Sequence, residues 1–299
     1  MINKIQLPSF FVIGMQKSAT TTLHHWLSAH EEVCLPVNKE THFFSNTSFY
    51  EKGIDCYLEN FITMDSSFIL GEVDPSYIFI DKSLDRIKKM ISNPKFIIIL
   101  RNPLERSYSH YCMNKYKGYE NLRFIEAIES EECRINKNVD NMIKFSYLLR
   151  SCYSKQIKNL INRFPKSKIL YIKFDDMINS NSQLNTYKKI CQFLKISEKS
   201  DVNFSMMHNS RSIPKNIILR NFLYKNNSFK KFLKFIIPKN YQYKIKMKVD
   251  SYNKIREKKN EHDEINKLPE KYLKWSNNEV RKTMKMTNLN LTKWIYTNE

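Results

Sequence analysis

The amino-acid sequence predicts an α/β fold, a three-layer αβα arrangement around a central parallel sheet. Three observations carry that expectation. Short uninterrupted apolar runs such as FIIIL, Phe96 to Leu100, suit strands buried on both faces. These runs alternate with segments whose apolar residues recur at helical spacing. The first run also leads through a tight turn straight into a helix start, the connection a parallel sheet requires.

In chain order, strands are expected at Phe10 to Ile13, Val33 to Leu35, Phe68 to Val73, Phe96 to Leu100 and Ile169 to Phe174. Helices are expected over Thr20 to Ala29, Tyr50 to Ile62, Ser83 to Ile91, Leu104 to Lys115, Phe145 to Phe164 and Gln183 to Leu194. The 299 residues contain no internal repeat and no linker rich in Pro, Gly or Ser. A single domain over 1–299 is expected, with a basic, largely helical subregion near its C-terminal end, about 211–262.

Aromatic residues at 13% argue against disorder, and a net charge of +20 predicts attraction to anions: nucleotides, acidic glycans, nucleic acid or an anionic membrane surface. Between Arg211 and Asn260 there are fifteen Lys and Arg against two acids, interleaved with Phe, Leu and Ile. A solvated basic face, a docking site for an anionic acceptor and a membrane-surface segment are all compatible with that pattern. The six cysteines show no C-x-x-C pair and no zinc-like Cys/His spacing, so free, mostly buried thiols are expected. The N-terminal apolar run is too short for a secretion signal, and nothing approaches the roughly 18 apolar residues of a membrane helix. A soluble, cytoplasmic protein is the expectation.

The segment FVIGMQKSATTTL, Phe11 to Leu23, begins like an ATP-type phosphate loop and then departs from it. Counting from Gly14, Ala19 stands where the second glycine belongs and Thr20 where the lysine belongs, while Lys17 lies three residues early. The setting is still that of an anion site, because the first amides of a helix lack partners and Thr20, Thr21 and Thr22 add hydroxyls beside the Lys17 charge. By itself this stretch is equally an N-capped helix after a strand. After FIIIL comes RNPLERSYSHY, with Arg101 at a strand end and Ser109 two helical turns on. A guanidinium and a hydroxyl so placed fit a phosphate, although Arg101 could instead pair with Glu105. Two such grips, each after a strand of one sheet, reinforce each other.

Together KSATTTL and RNPLERSYSHY resemble the two nucleotide-binding motifs of sulfotransferases that use 3′-phosphoadenosine 5′-phosphosulfate (PAPS), especially the bacterial members and the glycan-modifying branch. KETHFF, GEVDPSYIF, RSCYSKQIKNLINRFPKSKILYIKFDDM, HNSRSIPKN and TNLNLTKWIY agree with that family in order, so the resemblance covers nearly the whole chain. It implies a P-loop-like sulfotransferase fold and PAPS as sulfonate donor without a metal. Lys17 would contact the bridging oxygen and the sulfonate; Ser18, Ala19, Thr20, Thr21 and Thr22 would line the 5′-phosphate. Arg101 and Ser109 would hold the 3′-phosphate, with Arg211 an extra ligand. Glu40 matches the proposed base of the glycan sulfotransferases, and His42 would orient the acceptor or share its proton. The resemblance implies a hydroxyl-bearing acceptor; the basic region makes an acidic or phosphorylated glycan the expected one and membrane-surface association a further expectation, and no nucleic acid is expected. One position departs from the heparan-modifying branch: Val73 stands where that branch has a lysine, so neither a second catalytic lysine nor a heparan-like acceptor is carried over.

Two other readings are open to the residues. A P-loop nucleotide kinase is opposed by the displaced Lys17 and the missing glycine. A basic nucleic-acid-binding protein is opposed by the absence of a recognised module.

Overall fold

The computed structural model describes residues 6–62, 67–198, 202–204, 212–224, 239–256 and 261–297. They form two compact units, one of residues 1–106, 150–209 and 270–299, the other of 107–149 and 210–269.

The first unit is built on five parallel strands, β1 (Phe10–Gly14), β2 (Val33–Cys34), β3 (Ile69–Val73), β4 (Lys95–Leu100) and β5 (Ile169–Lys173), in the order β2-β3-β1-β4-β5. Successive side chains of a strand point to opposite faces, so the continuous apolar runs supply two cores at once. Phe11, Ile13, Phe96, Ile98 and Leu100 face one side, where Leu84 and Ile87 of α2 (Asp81–Met90), Ile157 and Leu160 of α4 (Tyr153–Arg163) and Val280 of α6 (Glu270–Thr287) cover them. Phe10, Val12, Ile97 and Ile99 face the other, against Leu23, Trp26 and Leu27 of α1 (Thr20–Ser28) and Tyr187, Ile190 and Leu194 of α5 (Ser180–Leu194). Between these layers Phe10 lies beside Gly71, where a Cβ atom would stand 2.0 Å from its ring; only glycine leaves that room. The three-layer parallel architecture expected from the sequence is therefore the one observed. Because β3 and β4 flank β1, the strand order reverses there, and the carboxyl end of β1 lies at the switch point where such sheets bind ligands.

Three expected elements differ. The helix expected over Tyr50 to Ile62 is two short ones, Thr47–Tyr50 and Ile54–Leu58, because Gly53 between them has φ 86°. The helix expected over Phe145 to Phe164 is broken. A helix ends at Phe145, and Glu131 takes the amides of Leu148 and Leu149 onto its carboxylate at 2.7 and 2.8 Å, ahead of a single turn at Leu149–Ser151. Phe174 closes no strand; it opens the helix Phe174–Ile178.

The second unit starts in α3 (Pro103–Lys117), which continues from the first, and holds helices Ile217–Tyr224 and Lys239–Tyr252 in the basic subregion. It also contains an antiparallel pair that the sequence did not suggest, β6 (Ser212–Pro214) and β7 (Lys254–Arg256). Asp250 organises its interior, accepting from Tyr116 and Tyr224 at 2.7 and 2.8 Å and pairing with Lys254. Among the described residues no helix is long and apolar enough to cross a membrane.

Candidate active site

The turn after β1 is pinned from two sides. Met15 N–H donates to Ile99 on β4 at 2.7 Å, and Ser18 N–H donates back to Met15 at 3.1 Å. Lys17 and Ala19 take positive φ, 72° and 62°, so the backbone coils tightly before α1. Ala19 occupies the cap position and offers the helix start no side-chain acceptor, an arrangement that suits an anion. Thr20 and Thr22 are buried, Thr21 is half-buried, and Ser18 is wholly enclosed with its hydroxyl bonded to nothing among the described residues. A polar atom left so is costly unless something completes it.

Arg101 reaches across from the end of β4. Its Nη1 donates to the Lys17 carbonyl at 3.3 Å, its Nε faces Glu105 at 3.4 Å, and its guanidinium lies over the Phe174 ring at 4.4 Å. The Glu105 pairing and the contact with the Lys17 turn thus coexist. Tyr153 fixes the Arg101 carbonyl at 2.9 Å, and the Asn102 side chain caps α3 through the amides of Leu104 and Glu105. The structure accordingly brings Arg101 onto the Lys17 turn. Ser109 lies buried on α3 within the second unit, and neighbouring His110 packs edge-to-face on Tyr147. Arg211 falls outside the described residues, as do His208, Asn209 and Ser210.

The KETHFF segment is a loop, held from below by two carboxylates of β3 and its end. Glu72, fully buried, accepts from Thr41 N–H and Oγ1 at 3.1 and 2.5 Å and from Tyr57 and Tyr77 at 2.8 and 2.9 Å. Burial, then the nearby Asp74 charge, raise the Glu72 carboxyl to about 7 against the pull of those hydrogen bonds. Asp74, also fully buried, accepts from His42 N–H at 3.2 Å and from His42 Nδ1 at 2.8 Å. That leaves His42 Nε2 3.8 Å from Glu40, whose other oxygen pairs with Lys39 at 2.5 Å. Burial opposes a charge on His42, but the Asp74 hydrogen bond and the charges of Asp74, Glu40 and Glu72 outweigh it and push the imidazole up to about 9. Arg150, buried and stacked on Phe79, adds a cation whose field reaches both Glu40 and Asp74; burial and Arg106 bring it down to about 9, still charged at neutral pH.

Glu40 and His42 are therefore brought together as the sequence suggested, whereas Asp74 and Glu72 were missed. GEVDPSY is a visible candidate because it follows a strand, but nothing in a linear sequence says that its aspartate meets a histidine 32 positions earlier. Glu40, His42 and Asp74 each present a ligand atom within 4.8 Å of the others, a donor set suited by type to a divalent cation. The same atoms are satisfied without one, through the imidazole protons and Lys39.

The sequence pattern of the sulfotransferase domain matches residues 7–262, and the chain belongs to that family. It is 30% identical over 179 residues to heparan sulfate glucosamine 3-O-sulfotransferase 5 of Mus musculus, covering 58% of this chain and 49% of that protein. It is 36% identical over 108 residues to membrane-associated sulfotransferase kil1 of Dictyostelium discoideum, 35% of this chain and 22% of that one. The chain spans about half the length or less of these curated relatives. Among solved structures, a sulfotransferase from Alicyclobacillus acidocaldarius superposes with a TM-score of 0.67 at 20% identity, over 97% of this chain and 99% of that chain, and shows the shared fold.

Proposed function

We propose that the protein is a PAPS-dependent sulfotransferase acting on a hydroxyl of an acidic or phosphorylated glycan. The observation that carries this reading is the bond from Arg101 to the Lys17 carbonyl, which sets the Arg101 charge on the turn at the switch of the sheet. The residues fit such a donor: an uncapped helix start, an enclosed Ser18 hydroxyl awaiting a partner, and the Lys17 and Arg101 charges beside them. The donor supplies an electrophilic sulfur and a bisphosphate leaving group. Glu40 accepts the proton of the acceptor hydroxyl. Lys17 and the α1 amides place positive charge where negative charge develops on the departing side. His42, held cationic by Asp74, directs Nε2 toward Glu40 and orients the acceptor oxygen.

The glycan acceptor rests on the names of the heparan sulfate relatives and on the basic charge of the chain. Val73, buried in β3, keeps the departure from the heparan-modifying pattern, which favours another anionic glycan over heparan itself. The family match runs through both units, which supports reading them as one transferase domain. The first test is thermal stabilisation by adenosine 3′,5′-bisphosphate beside AMP and magnesium ATP. Strong, metal-independent stabilisation by the bisphosphate alone is expected; a preference for magnesium ATP would sink the donor assignment.

A further inference from the structure

The second unit carries a surface that the transfer chemistry does not use. On the antiparallel pair, Ile213 and Ile255 are register partners, and both side chains face water at 45% exposure. Two residues beyond β6 a helix begins, and its first two residues are again exposed isoleucines, Ile217 at 60% and Ile218 at 80%. Single exposed apolar residues are ordinary, but four isoleucines on one strand pair and the helix that leaves it make a patch.

The patch stands on a fixed frame. Lys215 N–H donates to the Asn253 carbonyl at 2.8 Å, and Asn216 and Asn253 exchange hydrogen bonds at 2.8 and 3.0 Å. Asn216 Oδ1 then caps the helix through the amides of Ile218 and Leu219. Leu223 and Tyr224, later in the same helix, turn inward, Leu223 buried and Tyr224 bonded to Asp250. The helix is anchored by its far end, and its first turn projects.

Among the described residues of 212–256 the exposed charge has one sign. Lys215, Lys246 and Lys248 are exposed, with exposed Ile245 beside Lys246. The one acid among the described residues of 212–256 is Asp250, which is buried and committed to Tyr116, Tyr224 and Lys254. A hydrated polyanion would use the lysines but gains nothing from isoleucine. A second copy of the chain would set lysines against lysines. A bilayer of anionic phospholipid satisfies both, taking the isoleucines at its acyl boundary and the lysines among its headgroups.

The geometry points to this face as an interfacial docking surface for anionic phospholipid membranes, with Ile213, Ile217, Ile218 and Ile255 inserting and Lys215, Lys246 and Lys248 anchoring. It is independent of the donor site, so its failure would leave the proposed transfer reaction standing. The test is co-sedimentation of the full chain with vesicles of phosphatidylcholine alone and of phosphatidylcholine mixed with phosphatidylglycerol. Binding is expected to the mixed vesicles only, weakened by salt, and reduced about tenfold or more by Ile217→Glu with Ile218→Glu. An unchanged circular dichroism spectrum and a cooperative thermal transition report that the double variant is folded. A second variant, Lys246→Gln with Lys248→Gln, should weaken binding to the mixed vesicles as well. Three results would overturn the inference: no binding to mixed vesicles, binding indifferent to the isoleucine changes, or loss of self-association in the double variant with vesicle binding unaltered.

Discussion

His42 is bound twice to the buried carboxylate of Asp74, through its ring Nδ1 at 2.8 Å and its own amide at 3.2 Å. One residue thereby fixes the position of the imidazole and its charge, and it aims Nε2 at Glu40.

The first prediction removes that charge and keeps the shape. Asp74→Asn retains an oxygen for the Ser76 amide, which Asp74 caps at 2.9 Å, but no longer stabilises an imidazolium. The His42 pKa, followed by NMR of the ring protons, should fall from about 9 toward the ordinary 6.5 or below. Because the folded value is the raised one, this pair stabilises the native state fully below pH 6.5 and loses its contribution as pH climbs through 9. The stability deficit of Asp74→Asn should therefore shrink between about pH 6 and pH 10, and it should be small throughout because His42 is partly in water. Turnover should drop about tenfold to a hundredfold. An unchanged histidine pKa would refute the pairing.

A second prediction separates the two grips. Arg101→Ala should weaken adenosine 3′,5′-bisphosphate binding by about two orders of magnitude, since it removes the proposed charge-assisted contact and the tie to the Lys17 carbonyl together. Lys17→Ala should reduce turnover far more than bisphosphate affinity, because in the proposed mechanism its charge acts where the leaving group forms. Isothermal titration and steady-state rates on both variants decide it. Equal losses in binding and rate for Lys17→Ala would count against a transition-state role.

Much of this arrangement is legible in the amino-acid sequence alone. Uninterrupted runs such as FIIIL suit burial on both faces, which sets the layers and puts the Lys17 turn and Arg101 at strand ends. Glu40 and His42 are visible as a pair because they are two residues apart. What stays hidden depends on distant partners: the Glu131 carboxylate that breaks the chain at Leu148, the pairing of Ser212–Pro214 with Lys254–Arg256, and the Asp74 to His42 contact. Each joins residues more than a dozen positions apart, where periodicity carries no signal.

Ser18 gives a third, sharper test. Its hydroxyl is enclosed and unpartnered among the described residues, so Ser18→Ala should leave the ligand-free protein within about 0.5 kcal/mol of the parent or slightly more stable. If the hydroxyl waits for a phosphate oxygen, the same change should cost roughly tenfold in bisphosphate affinity. Loss of ligand-free stability by more than about 1 kcal/mol in urea unfolding would show that the hydroxyl already has a structural partner.

The fourth prediction concerns the carboxylate beneath the KETHFF loop. Glu72 holds Thr41, the residue between Glu40 and His42, by two bonds on one oxygen, and Tyr57 donates to the other. Its carboxyl is raised to about 7, so the folded chain keeps this proton longer than the unfolded one. The stabilisation that proton brings is complete below about pH 4.5 and is lost as pH rises through 7. Glu72→Gln should remove that dependence. Its amide oxygen can replace the acceptor facing Thr41 and Tyr77, and its NH2 can donate to the Tyr57 oxygen, so the loop stays pinned. Urea unfolding should find the variant gaining on the parent between about pH 5 and pH 8, by an amount of order 1 to 3 kcal/mol, with turnover largely kept. Glu72→Ala should instead release Thr41 and cut turnover steeply, because both flanking residues lose their common anchor. Parallel stability profiles for Glu72→Gln and the parent would show that Glu72 titrates no differently in the folded chain, and the buried carboxylate would then need a cation not yet identified beside it.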